Sequence, residues 1–246
     1  MARILLLGPV DLVVEFAGMI DERHEVVALL DHTAPMPPHV RIAQSLIDID
    51  ETMDIAIDLY SDDHRTHLAS LAARWDALLH ARIVVINGLT TTATAASAAM
   101  GLPGVLATAF VRGVTATAAH LELAPAMQCD GAMTRSAVAL LEDVAGRPVE
   151  VVEDRVALVA ARVLAMVINE AAFAVMEGVA SPADIDTAMK LGTNYPVGPL
   201  AWADRIGHDT IVRILDALHA EYGEERYRAC VLLRQHARAA RAFTTT

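Results

Sequence analysis

The chain has 246 residues, room for two small domains; 54% are hydrophobic and only 4% aromatic. That composition excludes a disordered chain and suits packed helices and buried strands. A formal net charge of −12 repels phosphate backbones, so no nucleic-acid partner is expected, and solubility is the plainer reading of the acidity.

In chain order, Arg3 to Gly8 is an apolar run ending in glycine, read as a buried strand. Asp11 to Ile20 has helical spacing, and His24 to His32 reads as a second buried strand, completing a strand-helix-strand unit. Pro35, Pro37 and Pro38 break the next stretch, and Val40 to Ile47 is read as a short helix. Met53 to Tyr60 is predicted as a strand, Asp62 to Leu79 as a helix, and Ala81 to Ile86 as a strand before the polar loop Asn87 to Thr94. Strands at Val105 to Phe110 and His120 to Leu123, a helix at Arg135 to Val144 and a strand at Pro148 to Val152 follow. This alternation predicts an α/β fold with a doubly wound, mostly parallel sheet over residues 1–153.

From residue 154 the pattern is all-α. Arg155 to Glu177 reads as one long helix. Ser181-Pro182-Ala183-Asp184 is a strong helix start, with Ser as N-cap, Pro at the first position and an acid at the third. That helix ends at Gly192, a turn-rich loop runs from Thr193 to Pro199, and helices cover Leu200 to Ile206, Asp209 to Tyr222 and Arg226 to Ala240.

Cys129 and Cys230 fit no metal spacing and read as reduced thiols, so a cytoplasmic location and no metal are expected. The N-terminus enters a strand without a basic region or cleavage pattern, so no secretion signal is expected. The longest apolar stretch, Val156 to Met176, is interrupted by Arg162, Asn169 and Glu170, so no membrane association is expected.

The string from Asn169 to Gly207 resembles the C-terminal domain of bacterial 3-hydroxyacyl-CoA dehydrogenases. The residues that carry the likeness are Asn169-Glu170-Ala171, Gly178 to Ser181, Asp184 to Met189, Leu191-Gly192 and Tyr195 to Pro199. Gly198 to Trp202, Tyr222 to Arg228 and Leu232 to Gln235 look like the degenerate second copy of this domain in the longer phenylacetate-type enzymes. The resemblance implies a Rossmann-like NAD-binding domain over 1–153 and a helical dimerisation domain over 154–246. It implies a homodimer, or a pairing with an active paralogue.

The family binds NAD through G-x-G-x-x-G after the first strand. Here those positions are Gly8, Pro9, Val10, Asp11, Leu12 and Val13. Val10 puts a branched side chain where the backbone should approach the pyrophosphate, Val13 is bulkier than the third glycine, and Asp11 adds a negative charge near the phosphates. Asp31 ends the second strand 23 residues after Gly8, as expected for the acid that holds a ribose, although an acid there can equally cap a turn.

The family's catalytic base is a histidine oriented by a glutamate. Its His-Phe-Phe-Asn-Pro stretch falls on Ala109-Phe110-Val111-Arg112-Gly113, so Ala109 stands at the histidine position. Glu122 matches the glutamate; His120 is the candidate substitute base, with a half-exposed strand residue as the plain alternative. Thr90 is the candidate substrate-binding hydroxyl, and the loop after it reads equally as a helix cap. The family's asparagine in the first helix of the C-terminal domain falls at Ala161. Only 21 residues, His32 to Thr52, stand where the family inserts a helical hairpin that helps hold CoA.

The resemblance therefore implies a homologue of acyl-CoA, fatty-acid or phenylacetate catabolism whose catalysis is impaired and whose role is structural or regulatory. The alternative is an active NAD-dependent dehydrogenase with a recruited base. A third reading is a binder of another nucleotide or acyl ligand.

Overall fold

The structure is a computed structural model that describes residues 1–30, 34–45, 49, 52–63, 66, 69–70 and 81–244. The predicted helix at 62–79 and Asp31 lie largely or wholly outside the described residues. The chain divides into two compact units, Met1–Leu158 and Val159–Thr246.

Unit 1 is built on an eight-stranded sheet. Its strands are β1 (Arg3–Leu7), β2 (Glu25–Leu29), β3 (Val40–Ala43), β4 (Met53–Asp58), β5 (Ala81–Asn87), β6 (Val105–Thr108), β7 (Leu121–Pro125) and β8 (Val149–Val151). They lie in the order β3-β2-β1-β4-β5-β6-β7-β8. All pairs are parallel except β6 with β7. Alternate residues feed two cores. Ile4, Leu6, Val26, Ile57 and Leu106 join the core that holds Val13 and Phe16 of helix α1 (Val10–Ala17). Leu5, Leu7, Val27, Val84, Ile86 and Ala107 join the other, against α2 (Ala93–Met100). Burial of both faces is why these strands read as unbroken apolar runs.

Two expectations in this unit are corrected. The sequence predicts a helix over Val40 to Ile47, yet Val40–Ala43 is an edge strand paired in register with Val26 to Leu29, and the end of that range lies outside the described residues. Val40 and Ile42 are half-buried while Arg41 is exposed, a period of two that four residues were too short to declare. The helix expected from Arg135 begins earlier: α3 runs over Gly131–Ala145, and the Asp130 side chain caps it by accepting from the Met133 amide at 2.7 Å.

The long helix expected from Arg155 is also shorter. Ala157 and Leu158 take left-handed backbone conformations, with φ of 60° and 48°. Tertiary contacts hold them there. The Ala157 amide donates to the Gly88 carbonyl at 2.8 Å, and a Cβ on Gly88 would come within 2.9 Å of Leu158 Cδ1. The Asp154 carboxylate accepts from the Ala93 and Thr94 amides, both at 2.8 Å, at the start of α2. These bonds tie residues 154–158 to unit 1, so the division falls after Leu158 rather than after residue 153.

Unit 2 is helical: α4 (Ala160–Met176), α5 (Pro182–Thr193), α6 (Pro199–Ile206), α7 (His208–Tyr222) and α8 (Val231–Ala239). The predicted Ser181 cap forms, accepting from the Asp184 amide at 3.2 Å. The helix expected over Arg226 to Ala240 is broken instead. A single 3-10 turn at Glu225–Tyr227 buries Tyr227, whose hydroxyl accepts a hydrogen bond from Arg162. Asn169 then holds the next residues extended, donating to the Arg228 carbonyl at 3.0 Å and accepting from the Cys230 amide at 2.8 Å.

At the far end of unit 2, Asp204 accepts from the Phe243 and Thr244 amides and from the Thr244 hydroxyl, and pairs with His208 Nε2 at 2.9 Å. Phe243 stacks on His236 at 3.8 Å and meets His208 edge-on. Burial pushes the His208 imidazole below its ordinary 6.5, outweighing the pull of Asp204, and His236 adds to the lowering. Burial raises the Asp204 carboxyl, but the Thr244 and Phe243 bonds and His208 hold it below 3.8 on balance. Both groups bind protons more tightly in the unfolded chain. Their stabilisation is therefore complete above 6.5 and is lost as the pH falls, first through His208 and then through Asp204. Thermal melting between about pH 8 and pH 5 should show a falling midpoint. His208→Gln, which keeps a donor but does not titrate, should flatten that slope above about pH 5.

Candidate active site

In a doubly wound sheet the ligand crevice lies outside the carboxyl ends of the strands, where the strand order reverses. Here that point is between β1 and β4. Gly8 leaves β1 there, and a Cβ on it would come within 2.8 Å of the Leu59 Cβ, so a side chain has no room. Val13, at the third glycine position, is buried and packs into the core beneath α1.

The mouth of the crevice is crossed by side chains. Asp11, in the first turn of α1, pairs with Arg112 at 3.1 Å. Both oxygens of Glu15 accept from the Gly113 amide, at 2.9 and 3.1 Å. Phe16 meets Phe110 edge-to-face at 5.1 Å. The loop after β6 is thus fastened to α1. From the other side, the buried Asn87 donates to the Leu59 and Phe110 carbonyls and accepts from the Phe110 amide at 3.0 Å. One amide side chain therefore joins the ends of β4, β5 and β6.

Ala109 follows β6 directly and is half-buried. The antiparallel register of β6 with β7 pairs Leu106 with Pro125 and Ala107 with Ala124. Continued by two residues past Ala107, that register would set Ala109 opposite Glu122. Directly opposed residues on an antiparallel pair share a face with Cβ atoms about 4.5–5.5 Å apart. Glu122 itself is half-buried in β7.

His120 is not part of β7; it is exposed, in the turn just before Leu121. The strand expected at His120 starts one residue later because the Leu121 amide is the first to bond across, to the Pro148 carbonyl at 2.9 Å. The Thr90 hydroxyl is buried and donates to the Asp62 carbonyl at 2.8 Å, and Thr92 caps α2 by accepting from the Ala95 amide at 3.1 Å. The loop after Asn87 therefore carries a helix cap, one of its two expected readings. Ala161 is buried in α4 of unit 2. The bonds of Arg112, Glu15 and Asn87 have no signal in the sequence, because each joins a partner 23 to 101 residues away.

Comparison with known proteins bears on both units. Residues 158–246 match the family described as 3-hydroxyacyl-CoA dehydrogenase, C-terminal domain. The chain is 51% identical over 104 residues to 3-hydroxyadipyl-CoA dehydrogenase of Escherichia coli K12, 42% of this chain and 22% of that protein. It is 49% identical over 102 residues to a probable 3-hydroxybutyryl-CoA dehydrogenase of Bacillus subtilis, 42% of this chain and 35% of that one. The matched stretches thus span only a fifth to about a third of those relatives. Among solved structures, FadB2 of M. tuberculosis superposes with a TM-score of 0.82 at 19% identity, covering 100% of this chain and 99% of that one. The (S)-3-hydroxybutyryl-CoA dehydrogenase PaaH1 of Ralstonia eutropha gives 0.77 at 21% identity, covering 98% and 94%. At these identities the superpositions establish the fold: a Rossmann-like sheet followed by a helical domain. Residues 158–246 are therefore a C-terminal domain of the 3-hydroxyacyl-CoA dehydrogenase type, joined to a sheet domain whose likeness to that family is one of fold.

Proposed function

We propose that this chain is a catalytically impaired 3-hydroxyacyl-CoA dehydrogenase homologue with a structural or regulatory role in acyl-CoA catabolism. The observation that carries the reading is an alanine, Ala109, directly after β6 where the family has its histidine; the register of β6 with β7, if carried two residues past Ala107, would set it opposite Glu122. In the family's reaction a histidine takes the proton of the 3-hydroxyl, and NAD, where bound, accepts the hydride. An alanine has no lone pair with which to take that proton, and a positioned base is worth about 10²–10⁴ in rate. The residues around α1 do not fit a pyrophosphate either. Val10 holds a Cβ where the backbone must approach it, and Asp11 brings a carboxylate to the same helix end.

Purified chain incubated with NAD and 3-hydroxybutyryl-CoA should produce no NADH above the enzyme-free rate, while an active family member under the same conditions does. Saturable turnover would restore the alternative reading, an active dehydrogenase with a recruited base such as His120.

The second unit supports self-association, as a homodimer or with an active paralogue. Val179 and Leu191 are exposed, and Met176 partly so, in and beside α4 and α5. Exposed apolar side chains that gather into a patch mark interaction surfaces, and these three are the residues a self-association face on this unit would use. Light scattering after size-exclusion should give twice the chain mass, and Val179→Asp with Leu191→Asp should halve it. A monomer at micromolar concentration would defeat the homodimer.

A further inference from the structure

We propose that Asp11 is a built-in anion at the N-terminus of α1, standing where the pyrophosphate of a dinucleotide would stand, with Arg112 as its counter-ion. The inference rests on the impaired-homologue reading and deepens it, because it says what closes the cofactor crevice. The N-cap residue of α1 is Pro9, which makes no side-chain cap bond. The positive end of the helix is therefore left to whatever anion can reach it. Asp11 reaches it from within: one carboxylate oxygen accepts from the Leu12 amide at 3.0 Å, and the other faces Arg112 Nη1 at 3.1 Å. Arg112 is delivered by the loop that Glu15 and Asn87 hold in place.

A pyrophosphate arriving here meets a fixed negative charge of its own sign, and the arginine that could have received it is already engaged. The ion pair itself is half-exposed, 55% at Arg112 and 46% at Asp11, so it contributes little to stability. Its consequence is for binding rather than for folding. Val10 is a separate, steric obstacle at the second glycine position, and a test has to remove it first.

Calorimetric titration with ADP-ribose, which carries the pyrophosphate without the nicotinamide, separates the two. The parent chain and Val10→Gly should show no saturation at millimolar ligand. The pair V10G/D11A should bind at least about 30-fold more tightly than V10G, which is roughly 2 kcal/mol. Adding Arg112→Ala to that pair should abolish the gain, because the freed guanidinium is the group that receives the phosphates. Melting temperatures of all variants should stay near that of the parent, as the ion pair is exposed; if V10G/D11A does not fold, V10G/D11N carries the same expectation. Equal affinities for V10G and V10G/D11A, or a gain that survives the loss of Arg112, would overturn the proposal. Turnover by the parent chain overturns the impaired reading, whereas an inactive parent and a V10G/D11A pair without gain overturn only this one.

Discussion

Replacing Ala109 by histidine should create an imidazole that titrates well above an ordinary histidine, and the rise should vanish when Glu122 is changed to Gln. The register of β6 with β7 pairs Ala107 with Ala124 and, carried two residues on, would set position 109 opposite Glu122. Both sites are half-buried, which keeps the carboxylate from full solvent screening. An opposite charge within about 4–6 Å favours the protonated imidazole. A histidine whose proton affinity rises on folding stabilises the fold below its unfolded pKa and loses that contribution as the pH rises through the folded one. A109H should therefore melt relatively higher at about pH 5 than at pH 8, and A109H/E122Q should not. Proton NMR of the histidine ring signals, one variant against the other, reads the titration directly. In the V10G/D11A background the same histidine should raise NAD-dependent oxidation of 3-hydroxybutyryl-CoA by about 100-fold or more, since a positioned base is what the site lacks. Identical titration curves with and without Glu122 would show that the register does not continue past Ala107.

The strand runs Arg3 to Leu7 and Ala81 to Asn87 were legible because a strand buried on both faces is apolar throughout. Ser181-Pro182 was legible because a helix cap is a local device. Val40–Ala43 was not, because an edge strand of four residues offers one alternation and little else. Nor was the break at Ala157 and Leu158, where a bond from the Ala157 amide to the Gly88 carbonyl overrides a strong helical pattern. Ala109 is placed by its local motif, whereas nothing local to β6 or β7 declares that they are antiparallel neighbours. Strand pairing is a long-range fact, and so are the bonds of Asn87, Glu15 and Arg112. The elements could be read residue by residue, but the crevice they close could not.

The same contrast makes Gly198 the position where one methyl group should do the most damage. The sequence offers it as a turn glycine between two prolines, yet its φ of −68° is open to any residue. What forbids a side chain is Asp186. A Cβ on Gly198 would lie 2.2 Å from the Asp186 Cγ. Asp186 cannot step aside, because its buried carboxylate accepts from the Leu200 and Ala201 amides at 2.8 and 3.0 Å and so caps α6. Gly198→Ala must expel that cap and should cost about 3 kcal/mol or more. Asp186→Ala leaves the two amides without their acceptor and should cost about 2–3 kcal/mol. The two losses are one event seen from either side, since the methyl does its harm by displacing the carboxylate. In the double variant the methyl occupies space the carboxylate has left, so the combined cost should fall short of the sum by about 1–3 kcal/mol. With Trp75 changed to Phe, Trp202 in α6 is the sole tryptophan, and urea unfolding followed by its fluorescence measures all four corners of the cycle. Additive costs would mean that Gly198 is held by its own turn and not by the aspartate, and the match of Asp184 to Met189 with Tyr195 to Pro199 would lose its physical basis as a single capping unit.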